Sequence, residues 1–553
     1  MSSVDFPSSK TRDQPFFFFL SADEKACAFR NIQQTKTHSH TRHRRKRDRQ
    51  GHVTPSGNKL RHTSMSNFTK KRKSYNNSKP SSGNAIPLGQ KDSKKQRALL
   101  KPFGQIVQEA KEIWNKLRQK DLEKDVRDGF VEKIMGLIKG KIWEIVSRHD
   151  ASRVIQTLFQ YGTLEVQEAI CGELKGHYLE LSMSAYGHFM LKSMLRHGKE
   201  KQRMEIIDAF RNHFAKLATH VTGASVLELL FQNRGGRAFQ REILSRKKYQ
   251  LLAREFYGRE FLLFCNDKDM DIKTYLRKNP DKKEGILGDM RKLLNKQIGK
   301  GIHHLEFSQT FLAEYFDLWN EMSDSAANLE DMFPSLIEGT LQLASTSPGI
   351  TVMINVLTHG NAKIRKQILK QLRGRGNDVG IHQNGYLLIL KIFDCVDDTV
   401  LVRKAVLNDL VAGLEALILD INGCKLILHL LAPGENRYFN ARDISVLSLK
   451  GKYSKKDSDI RRKELLTPVK AALESIVKSK AIDLLQSSHA SKVVYEYITR
   501  QSESSPDDEN STVQEMLGGS DQVKAIKKML KKDKGKAVQG LNKTQINKLK
   551  SIL

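Results

Sequence analysis

The chain has 553 residues, of which 39% are hydrophobic and 28% are charged, and its formal net charge is +32 at pH 7. No apolar run approaches the roughly 18 residues of a membrane span, and Phe16–Leu20 is too short for the core of a signal peptide, which argues against membrane insertion and secretion. The five cysteines are odd in number, widely spaced and never in C-x-x-C, which argues against a disulfide framework or a zinc ribbon, and the positive charge makes a polyanion the first candidate partner.

The first segment, residues 1–96, is predicted to be a basic disordered tail. Residues 1–100 contain 22 Lys+Arg, 6 Asp+Glu and no apolar periodicity, so they cannot bury enough surface to offset the entropy of ordering. Arg42–Arg47, Lys70–Lys73 and Lys94–Arg97 are short basic clusters, typical of nuclear import signals or nucleic-acid contacts. A merely solvated basic tail is the alternative. The clusters predict a nuclear protein.

From about residue 110 to residue 500 the chain repeats with a period near 36 residues. Each copy has a small residue as its anchor, an aliphatic residue six positions earlier, and apolar residues at offsets +3, +4, +7 and +8, which are filled in 35 of 36 positions. Those four offsets form one stripe of a helix, which a single copy cannot bury but stacked copies can. The repeat therefore predicts an all-α fold, an α-solenoid of helical repeats. The anchors are Ala151, Gly187, Gly223, Gly258, Ser308, Gly349, Gly385, Gly423 and Ala490.

Two long intervals interrupt the repeats and divide them into an N-terminal arm, residues 97–266, and a C-terminal arm, residues 267–500. The first interval includes Asn279–Glu284 (NPDKKE), for which we predict a protruding loop or a bend between the arms. The second includes Lys450–Lys463 (KGKYSKKDSDIRRK), a basic stretch predicted to be a loop. The last segment, residues 501–553, is predicted to be an acidic linker followed by a basic tail.

The 36-residue period, with Asp150–Gln156 (DASRVIQ) at a helix start, resembles the Pumilio-type (PUF) RNA-binding repeat. Gly140–Gly162, Gly176–Gly198 and Ser454–Leu466 (SKKDSDIRRKELL) narrow the resemblance to the divergent nucleolar Puf-A subfamily, with a CPL-type C-terminal region. The resemblance covers roughly residues 95–500. It implies two arms in an L shape, broad nucleic-acid binding, a nucleolar location and a role in assembly of the large ribosomal subunit.

In PUF repeats two side chains contact a base edge and a third stacks on the base. The resemblance assigns these roles to offsets +1, +2 and +5. Ser152, Arg153 and Gln156 match the adenine-reading set, with Arg153 expected to stack. The other copies match only in part, and the pairs at Gly349, Gly385 and Gly423 contain aliphatic residues that cannot distinguish bases. These pairs are Ile350/Ile354, Tyr386/Leu390 and Cys424/Leu428.

These departures exclude a base-by-base code along the whole groove. They also predict that the C-terminal arm contacts protein or is covered by its own insertions. On the N-terminal arm, basic residues beside occasional stacking groups favour tracking of the nucleic-acid backbone, with a solvated basic face as the alternative. The predicted RNA-binding residues are Ser152, Arg153, Gln156, His188, Phe189, Lys192, Ser225, Glu228, Lys141, Arg148, Arg196, Ser491 and Lys492.

The leading hypothesis is an RNA-binding protein of low sequence specificity that acts in large-ribosomal-subunit biogenesis by binding pre-rRNA. We expect a monomer without membrane contact, whose C-terminal arm meets pre-ribosomal proteins or assembly factors; mRNA or another nucleic acid is the alternative ligand. An mRNA-binding translational repressor and a helical-repeat protein scaffold remain alternative functions. Because no phosphate-binding, dinucleotide or zinc-protease motif occurs, we expect no enzyme, no cofactor and no metal site.

Overall fold

The structure of the protein is a computed structural model, and it divides the chain into two units, residues 1–86 and 87–553. The first unit and the rest of the predicted tail at 1–96 lie outside the described residues. Within the second unit the structure describes residues 99–119, 121–231, 254–265, 267, 270–321, 329, 331–451, 453–503, 514–531 and 538–553.

The described residues form α-helices joined by short turns, and no strand occurs among them. The helices are α1 Gly104–Leu117, α2 Lys124–Ile138, α3 Ile142–Val146, α4 His149–Tyr161, α5 Leu164–Leu174, α6 Tyr178–Met183, α7 Gly187–His197, α8 Glu200–Ala209, α9 Phe214–Ala218, α10 Val221–Phe231, α11 Gly258–Phe264, α12 Ile272–Lys278, α13 Lys283–Gly299, α14 Glu306–Glu321, α15 Phe333–Glu338, α16 Thr340–Leu343, α17 Ser347–His359, α18 Ala362–Leu372, α19 Gly376–Ile381, α20 Gly385–Cys395, α21 Thr399–Val402, α22 Asn408–Ala412, α23 Leu414–Leu419, α24 Gly423–Leu431, α25 Ala441–Ser448, α26 Ser458–Gln486, α27 Ala490–Ser502, α28 Ser520–Lys531 and α29 Lys543–Ile552. Short 3-10 helices cover Arg254–Tyr257, Pro280–Lys282, Ile302–His304 and Asn436–Tyr438, and a π-helical turn covers Arg403–Leu407.

Nine helices of the described ranges stack side by side in one row, which we call the inner row. Each member contacts the next: α1, α4, α7, α10, α14, α17, α20, α24 and α27. Apart from α1, every member begins at an anchor of the sequence repeat or within two residues before it. The prediction of an all-α solenoid is confirmed. The L-shaped arrangement and the division into arms stay predictions.

The glycine at five of the anchors is explained by a close approach within the same repeat, to the residue six positions earlier; these anchors are Gly187, Gly223, Gly349, Gly385 and Gly423. A Cβ atom at Gly423 would lie 2.4 Å from the carbonyl oxygen of Leu417, and one at Gly349 would lie 2.3 Å from that of Leu343. Real Cβ contacts are not that short, so a larger side chain would push apart the short helix and the inner-row helix that follows it. The anchor residue and the aliphatic residue at offset −6 therefore contact each other, which explains why both positions are restricted in the sequence.

The predicted apolar stripe is buried at every described position except one, Leu262, whose side chain is 43% exposed. It belongs to the copy at Gly258, whose helix α11 has only seven residues and does not join the inner row. Helix α14 packs directly against α10 instead. The ring of Phe311 on α14 stacks on Phe256 just before α11, with 4.0 Å between ring centroids. The Gly258 copy therefore packs against the side of the row and is not one of its members.

Two predicted irregular segments are helical in the structure. The loop predicted at Asn279–Glu284 is wrong, because Pro280 opens a 3-10 turn and α13 begins at Lys283; proline suits the start of a helix, where its missing N–H is not needed. The loop predicted at Lys450–Lys463 ends at Asp457, the N-cap of α26. Proline and charge by themselves mark helix starts as often as they mark loops.

The predicted basic tail at the end of the chain is folded where it is described. Helices α28 and α29 pack against α26 and α27, respectively. Val523, Ile526 and Leu530 are buried on one face of α28, with Leu549 buried on α29. The lysines of this segment therefore occupy the solvent face of amphipathic helices, a pattern that charge counting alone does not separate from a disordered tail.

No helix in the described part of the chain combines the length and the apolar composition needed to cross a bilayer. Cys171, Cys265, Cys395 and Cys424 are buried and free, while Cys27 lies outside the described residues. Burial raises the pKa of the Cys395 and Cys424 thiols to about 11. These thiols remain protonated at neutral pH and act as small apolar groups in the core.

Candidate nucleic-acid interface

The predicted edge-reading pair of the first matched repeat is hydrogen-bonded within the protein. Ser152 on α4 is buried, and its hydroxyl donates to the backbone carbonyl of Tyr186 at 2.9 Å. The same hydroxyl accepts a hydrogen bond from Nε2 of the half-buried Gln156, also at 2.9 Å. Ser152 therefore joins neighbouring repeats, and Gln156 is held beside it with one N–H already used.

Arg153, the predicted stacking residue, is exposed on α4 next to an aromatic ring from α1. Its guanidinium carbon lies 5.8 Å from the centroid of the Trp114 ring, and that of Arg118 lies 4.6 Å from the same ring. Trp114 is fixed by a 2.8 Å hydrogen bond from its indole N–H to the Thr157 hydroxyl. One end of the inner row thus presents two guanidinium planes around a locked tryptophan, an arrangement suited to cation–π contacts.

Sequence reasoning did not find Trp114 and Arg118, because α1 precedes the first anchor and was not read as part of the repeat. Their spacing of four residues, which places them on one helix face, is the signal that could have found them. Arg148, predicted as a backbone contact, donates from Nη1 to the carbonyl of Pro102 at 2.6 Å and so holds the segment that leads into α1. Lys141 is half-buried at the start of α3.

Helix α7 places an exposed aromatic ring at the offset that Arg153 occupies on α4. Phe189 is 43% exposed, and its ring lies 3.9 Å from the ring of His188, centroid to centroid. His188 is buried, with Nδ1 2.9 Å from the carbonyl oxygen of Ser184. The buried Lys192 has its ammonium nitrogen 5.8 Å from the Phe189 centroid. The structure therefore brings these three predicted residues together around one exposed ring.

Two further groups lie on the same end of the row. Tyr186, one residue before the anchor Gly187, is 39% exposed and meets the His149 ring edge-on at 5.2 Å. It was missed because it lies outside the three offsets assigned by resemblance. Arg196, which is predicted to contact the nucleic-acid backbone, is exposed in the last turn of α7. The exposed cations Arg118, Arg153 and Arg196 and the exposed rings of Tyr186 and Phe189 thus lie at the same end of the row.

The predicted residues of α10 are engaged in holding helices together. The carboxylate of Glu228 accepts hydrogen bonds from the backbone N–H groups of Glu306 and Phe307, each at 3.1 Å, at the start of α14. A carboxylate at a helix N-terminus accepts hydrogen bonds from otherwise unpaired N–H groups and interacts favourably with the positive end of the helix dipole. Ser225 donates to the Thr222 carbonyl at 2.7 Å within its own turn. Base contact by either residue stays a prediction.

The two predicted residues at the far end of the row, on α27, are separated from those on α10 by four inner-row helices. The Ser491 hydroxyl is buried and donates to the Gln539 carbonyl at 2.6 Å. Lys492 beside it is half-buried. The segment that leads into α29 therefore lies over this end of α27, and the structure does not bring Ser491 and Lys492 near Arg153 or Phe189.

Two inner-row helices of the C-terminal arm, α20 and α24, are covered by the insertion at residues 432–457. Asp443 on α25 is completely buried, where it accepts hydrogen bonds from the Tyr386 hydroxyl at 2.5 Å and from Lys425 Nζ at 2.7 Å. Burial together with the Asp443 hydrogen bond raises the pKa of Tyr386. Lys391, also buried, donates to the Leu449 carbonyl and lies 2.8 Å from Asp394. The second predicted alternative, coverage by the chain's own insertion, is confirmed here.

The same insertion continues onto the next inner-row helix. Glu496 on α27 is completely buried and accepts from the Tyr438 hydroxyl at 2.5 Å and from Arg437 at 2.8 Å. Gln545 on α29 donates to the Tyr438 hydroxyl at 2.8 Å. The positions of α20, α24 and α27 that would face a base are thus occupied by protein. In the described residues, the end of the row that remains open is the one from α1 to α7.

Comparison with protein families gives two matches. The Pumilio-family RNA binding repeat matches residues 151–175 and 177–209, which include α4 and α7. The CPL (NUC119) domain matches residues 419–549, which include the insertion, α26, α27 and α28. The repeat match therefore falls on the open end of the inner row, and the CPL match falls on the covered end.

Among curated proteins, Pumilio homolog 3 of Homo sapiens is 30% identical over 431 residues, which are 76% of this chain and 64% of that protein. Pumilio homology domain family member 6 of Schizosaccharomyces pombe is 29% identical over 73% of this chain and 62% of its own length. The chain thus spans less than two thirds of the length of these relatives. The crystal structure of human Puf-A is 28% identical with a TM-score of 0.63, covering 71% of this chain and 75% of that one. Human Puf-A in complex with DNA, at 24% identity, has the same fold, with a TM-score of 0.65 over 82% of this chain and 97% of that one.

Proposed function

Because the chain belongs to the divergent Pumilio-repeat proteins of the Puf-A type, we propose that it is an RNA-binding protein of low sequence specificity that acts in large-ribosomal-subunit biogenesis by binding pre-rRNA. The proposal includes a location in the nucleus and nucleolus and a monomeric, non-enzymatic role. Its nucleic-acid contact is the open end of the inner row. The solved complex of human Puf-A with DNA supports nucleic acid as the ligand class.

The observation that carries the proposal is a contrast between two classes of side chain. Those at the stacking offset are exposed, whereas those predicted to contact a base edge are hydrogen-bonded within the protein. Arg153 and Phe189 occupy the same offset on neighbouring helices and are both exposed. Ser152 uses its hydroxyl between repeats. Stacking tolerates every base, whereas discrimination needs free donors and acceptors at the base edge. Such a surface holds RNA without a base-by-base code.

The covered inner face of the C-terminal arm supports the view that the two arms bind different partners. Asp443 and Glu496 are buried beneath the insertion and paired with Lys425 and Arg437. A base cannot enter there without breaking buried ion pairs, which costs several kcal/mol. The C-terminal inner face is therefore closed to single-stranded RNA, and the outward surface of this arm is left for pre-ribosomal proteins or assembly factors.

Crosslinking of the protein to RNA in cells, followed by sequencing, tests the proposed ligand. We expect reads concentrated in ribosomal precursor RNA, with their number strongly reduced for the double variant Arg153→Gln/Phe189→Leu. Reads confined to the tails of a set of mRNAs would overturn the proposal in favour of a translational repressor. Partners that stay attached after RNase treatment, with few crosslinks in any RNA, would overturn it in favour of a protein scaffold.

Binding in solution tests low specificity separately. Affinity for single-stranded RNA should fall steeply with salt, because phosphate contacts release counterions. It should vary little among unrelated sequences. A preference for one short sequence of more than about a thousandfold, which is the range of sequence-specific nucleic-acid binders, would contradict the proposal.

A further inference from the structure

Helix α18 carries a line of cations on its solvent face, away from the inner row. Lys363, Lys366 and Lys370 are exposed at intervals of three and four residues, which places them on one side of the helix, and the exposed Arg373 follows as its C-cap residue. They span about 15 Å along the axis at 1.5 Å per residue. No acidic residue occurs from residue 361 to residue 377. We call these four residues the outer basic stripe.

The stripe continues onto the neighbouring outer element. The π-helical turn Arg403–Leu407 contacts α18, and its first two residues, Arg403 and Lys404, are exposed. Single π-helical turns inside longer helices occur frequently at functional sites. Among the described residues, none of these six cations has an anionic side chain within ion-pair distance. Arg375, which follows the last residue of the stripe by two positions, does have such a partner, because its guanidinium lies 3.5 Å from Asp378.

The one basic residue of α18 with a structural role is the one that points inward. Arg365 is buried and donates to the carbonyls of Leu357, Thr358 and Cys395, which end α17 and α20. It holds the ends of two inner-row helices. The exposed cations have no comparable partner among the residues that the structure describes, and like charges at such spacing repel one another slightly in a free helix. The stripe is therefore a surface of positive potential that an external anion would neutralise.

The surroundings of the stripe indicate which anion. Protein interfaces have an apolar core, and single-stranded nucleic acid stacks on aromatic rings. The exposed positions of α18 include neither: besides the lysines they are Ala362 and Gln371. We infer that the outer basic stripe binds the phosphate backbone of duplex RNA, as a second contact on the side of the C-terminal arm opposite its covered inner face. This rests on the proposed RNA-binding function and extends it to structured RNA.

The stripe and the open end of the inner row would hold different parts of one molecule. Stacking around Arg153 and Phe189 requires unpaired bases, whereas cations about 5 Å apart along a helix axis can follow phosphates regardless of base pairing. A folded RNA with a single-stranded end offers both. Its duplex would lie along α18 and the π-helical turn while its free strand reaches α4 and α7.

The test compares the full chain with the triple variant Lys363→Gln/Lys366→Gln/Lys370→Gln. The matched control is Lys524→Gln/Lys527→Gln/Lys528→Gln on α28, whose three lysines are also exposed. Each protein is titrated with a hairpin RNA of about 20 base pairs, long enough for two grooves of the duplex, that has a single-stranded end, and with that single strand alone. The titrations are repeated over a range of salt concentrations, and melting curves verify that each variant is folded.

For the triple variant we expect hairpin affinity about tenfold lower at moderate salt and a salt-dependence slope reduced by about two to three, as for the loss of as many phosphate contacts. Affinity for the single strand should not change, and the α28 control should match the unaltered protein. Equal hairpin affinity in the triple variant, or an equal loss in the control, would overturn the inference. Loss of binding to polyglutamate with hairpin affinity unchanged would overturn it in favour of an acidic protein partner. An unaltered protein that binds neither RNA would instead refute the proposed function.

Discussion

The hydroxyl of Ser152 donates a 2.9 Å hydrogen bond to the backbone carbonyl of Tyr186, which joins α4 to the residue just before α7. The resemblance assigns this side chain to a base edge, but its hydroxyl proton is already donated in a hydrogen bond between two repeats. The same hydroxyl accepts from Gln156. The position that best fits a sequence code is therefore also part of the packing of the solenoid.

Replacing Ser152 with Ala should lower stability more than it alters RNA selection. The change leaves the Tyr186 carbonyl and the Gln156 amide without their partner, which costs about 1–2 kcal/mol. Urea unfolding measures the loss. Ser225→Ala is the control, since Ser225 is half-buried and bonds only within its own turn. A shift in base preference with unchanged stability would contradict this view of Ser152.

Phe189→Leu and Arg153→Gln should each weaken RNA binding about tenfold, because each removes a stacking group worth about 1–3 kcal/mol per base. Both side chains are exposed, so folding should be unaffected. Fluorescence anisotropy with unrelated single-stranded sequences measures the change, which should be similar for all of them. Tyr161→Leu, at an exposed ring beside Arg127, should bind as the unaltered protein does.

Glu228→Ala should loosen the start of α14. The carboxylate caps two N–H groups of that helix, and loss of such a cap costs about 1–2 kcal/mol. Hydrogen exchange at the first turn of α14 should speed up, with a smaller effect for Glu228→Gln, which retains one acceptor. If RNA affinity fell while exchange stayed the same, Glu228 would be a base contact after all.

Asp443→Asn should destabilise the covered end of the row. Asp443 is fully buried and pairs with Lys425 and Tyr386, so its loss leaves a partly buried ammonium without its counter-ion. Breaking a buried pair in this way costs about 3–5 kcal/mol. Thermal unfolding measures it. The control Asp459→Asn, at a carboxylate that is 70% exposed, should cost less than about 0.5 kcal/mol.

Glu314→Gln should stabilise the protein in a pH-dependent way. Burial on α14 raises the pKa of Glu314 to about 7, although the Tyr257 hydroxyl donates to it at 2.9 Å. Below about pH 4.5 the carboxyl is neutral in both the folded and the unfolded chain, so the variant and the original should be equally stable. Between about pH 4.5 and 7 the unfolded chain ionises first, and the original should lose stability as the pH rises.

Above about pH 7 the folded protein carries the full cost of a buried carboxylate, of the order of 3 kcal/mol. Melting temperatures of the two proteins at pH 5 and pH 8 measure this difference. The control is Glu474→Gln, at a surface carboxylate paired with Lys478 four residues away. An advantage of Glu314→Gln that is the same at both pH values would show that the carboxyl is already ionised at pH 5.

The repeat could be read from the sequence because its signals are local and periodic. The small residue at Gly423 and the leucine at Leu417 contact each other across one turn, so their spacing recurs in every copy. The apolar residues on one face of a helix likewise recur at offsets of three and four residues. These regularities determined the all-α solenoid and the identity of its core residues, whereas the offset that Arg153 and Phe189 share was assigned by the resemblance to PUF repeats.

Only the tertiary structure decided how the copies are joined and which of them stay open. Glu228 meets Phe307 across 79 residues, and Tyr386 meets Asp443 across 57. Such pairings depend on which helix packs beside which, and no local spacing encodes that choice. For this reason a glutamate at a base-reading offset proved to be the cap of a distant helix, and Asp443 on α25, a residue outside the repeat pattern, supplies the carboxylate that closes the C-terminal inner face.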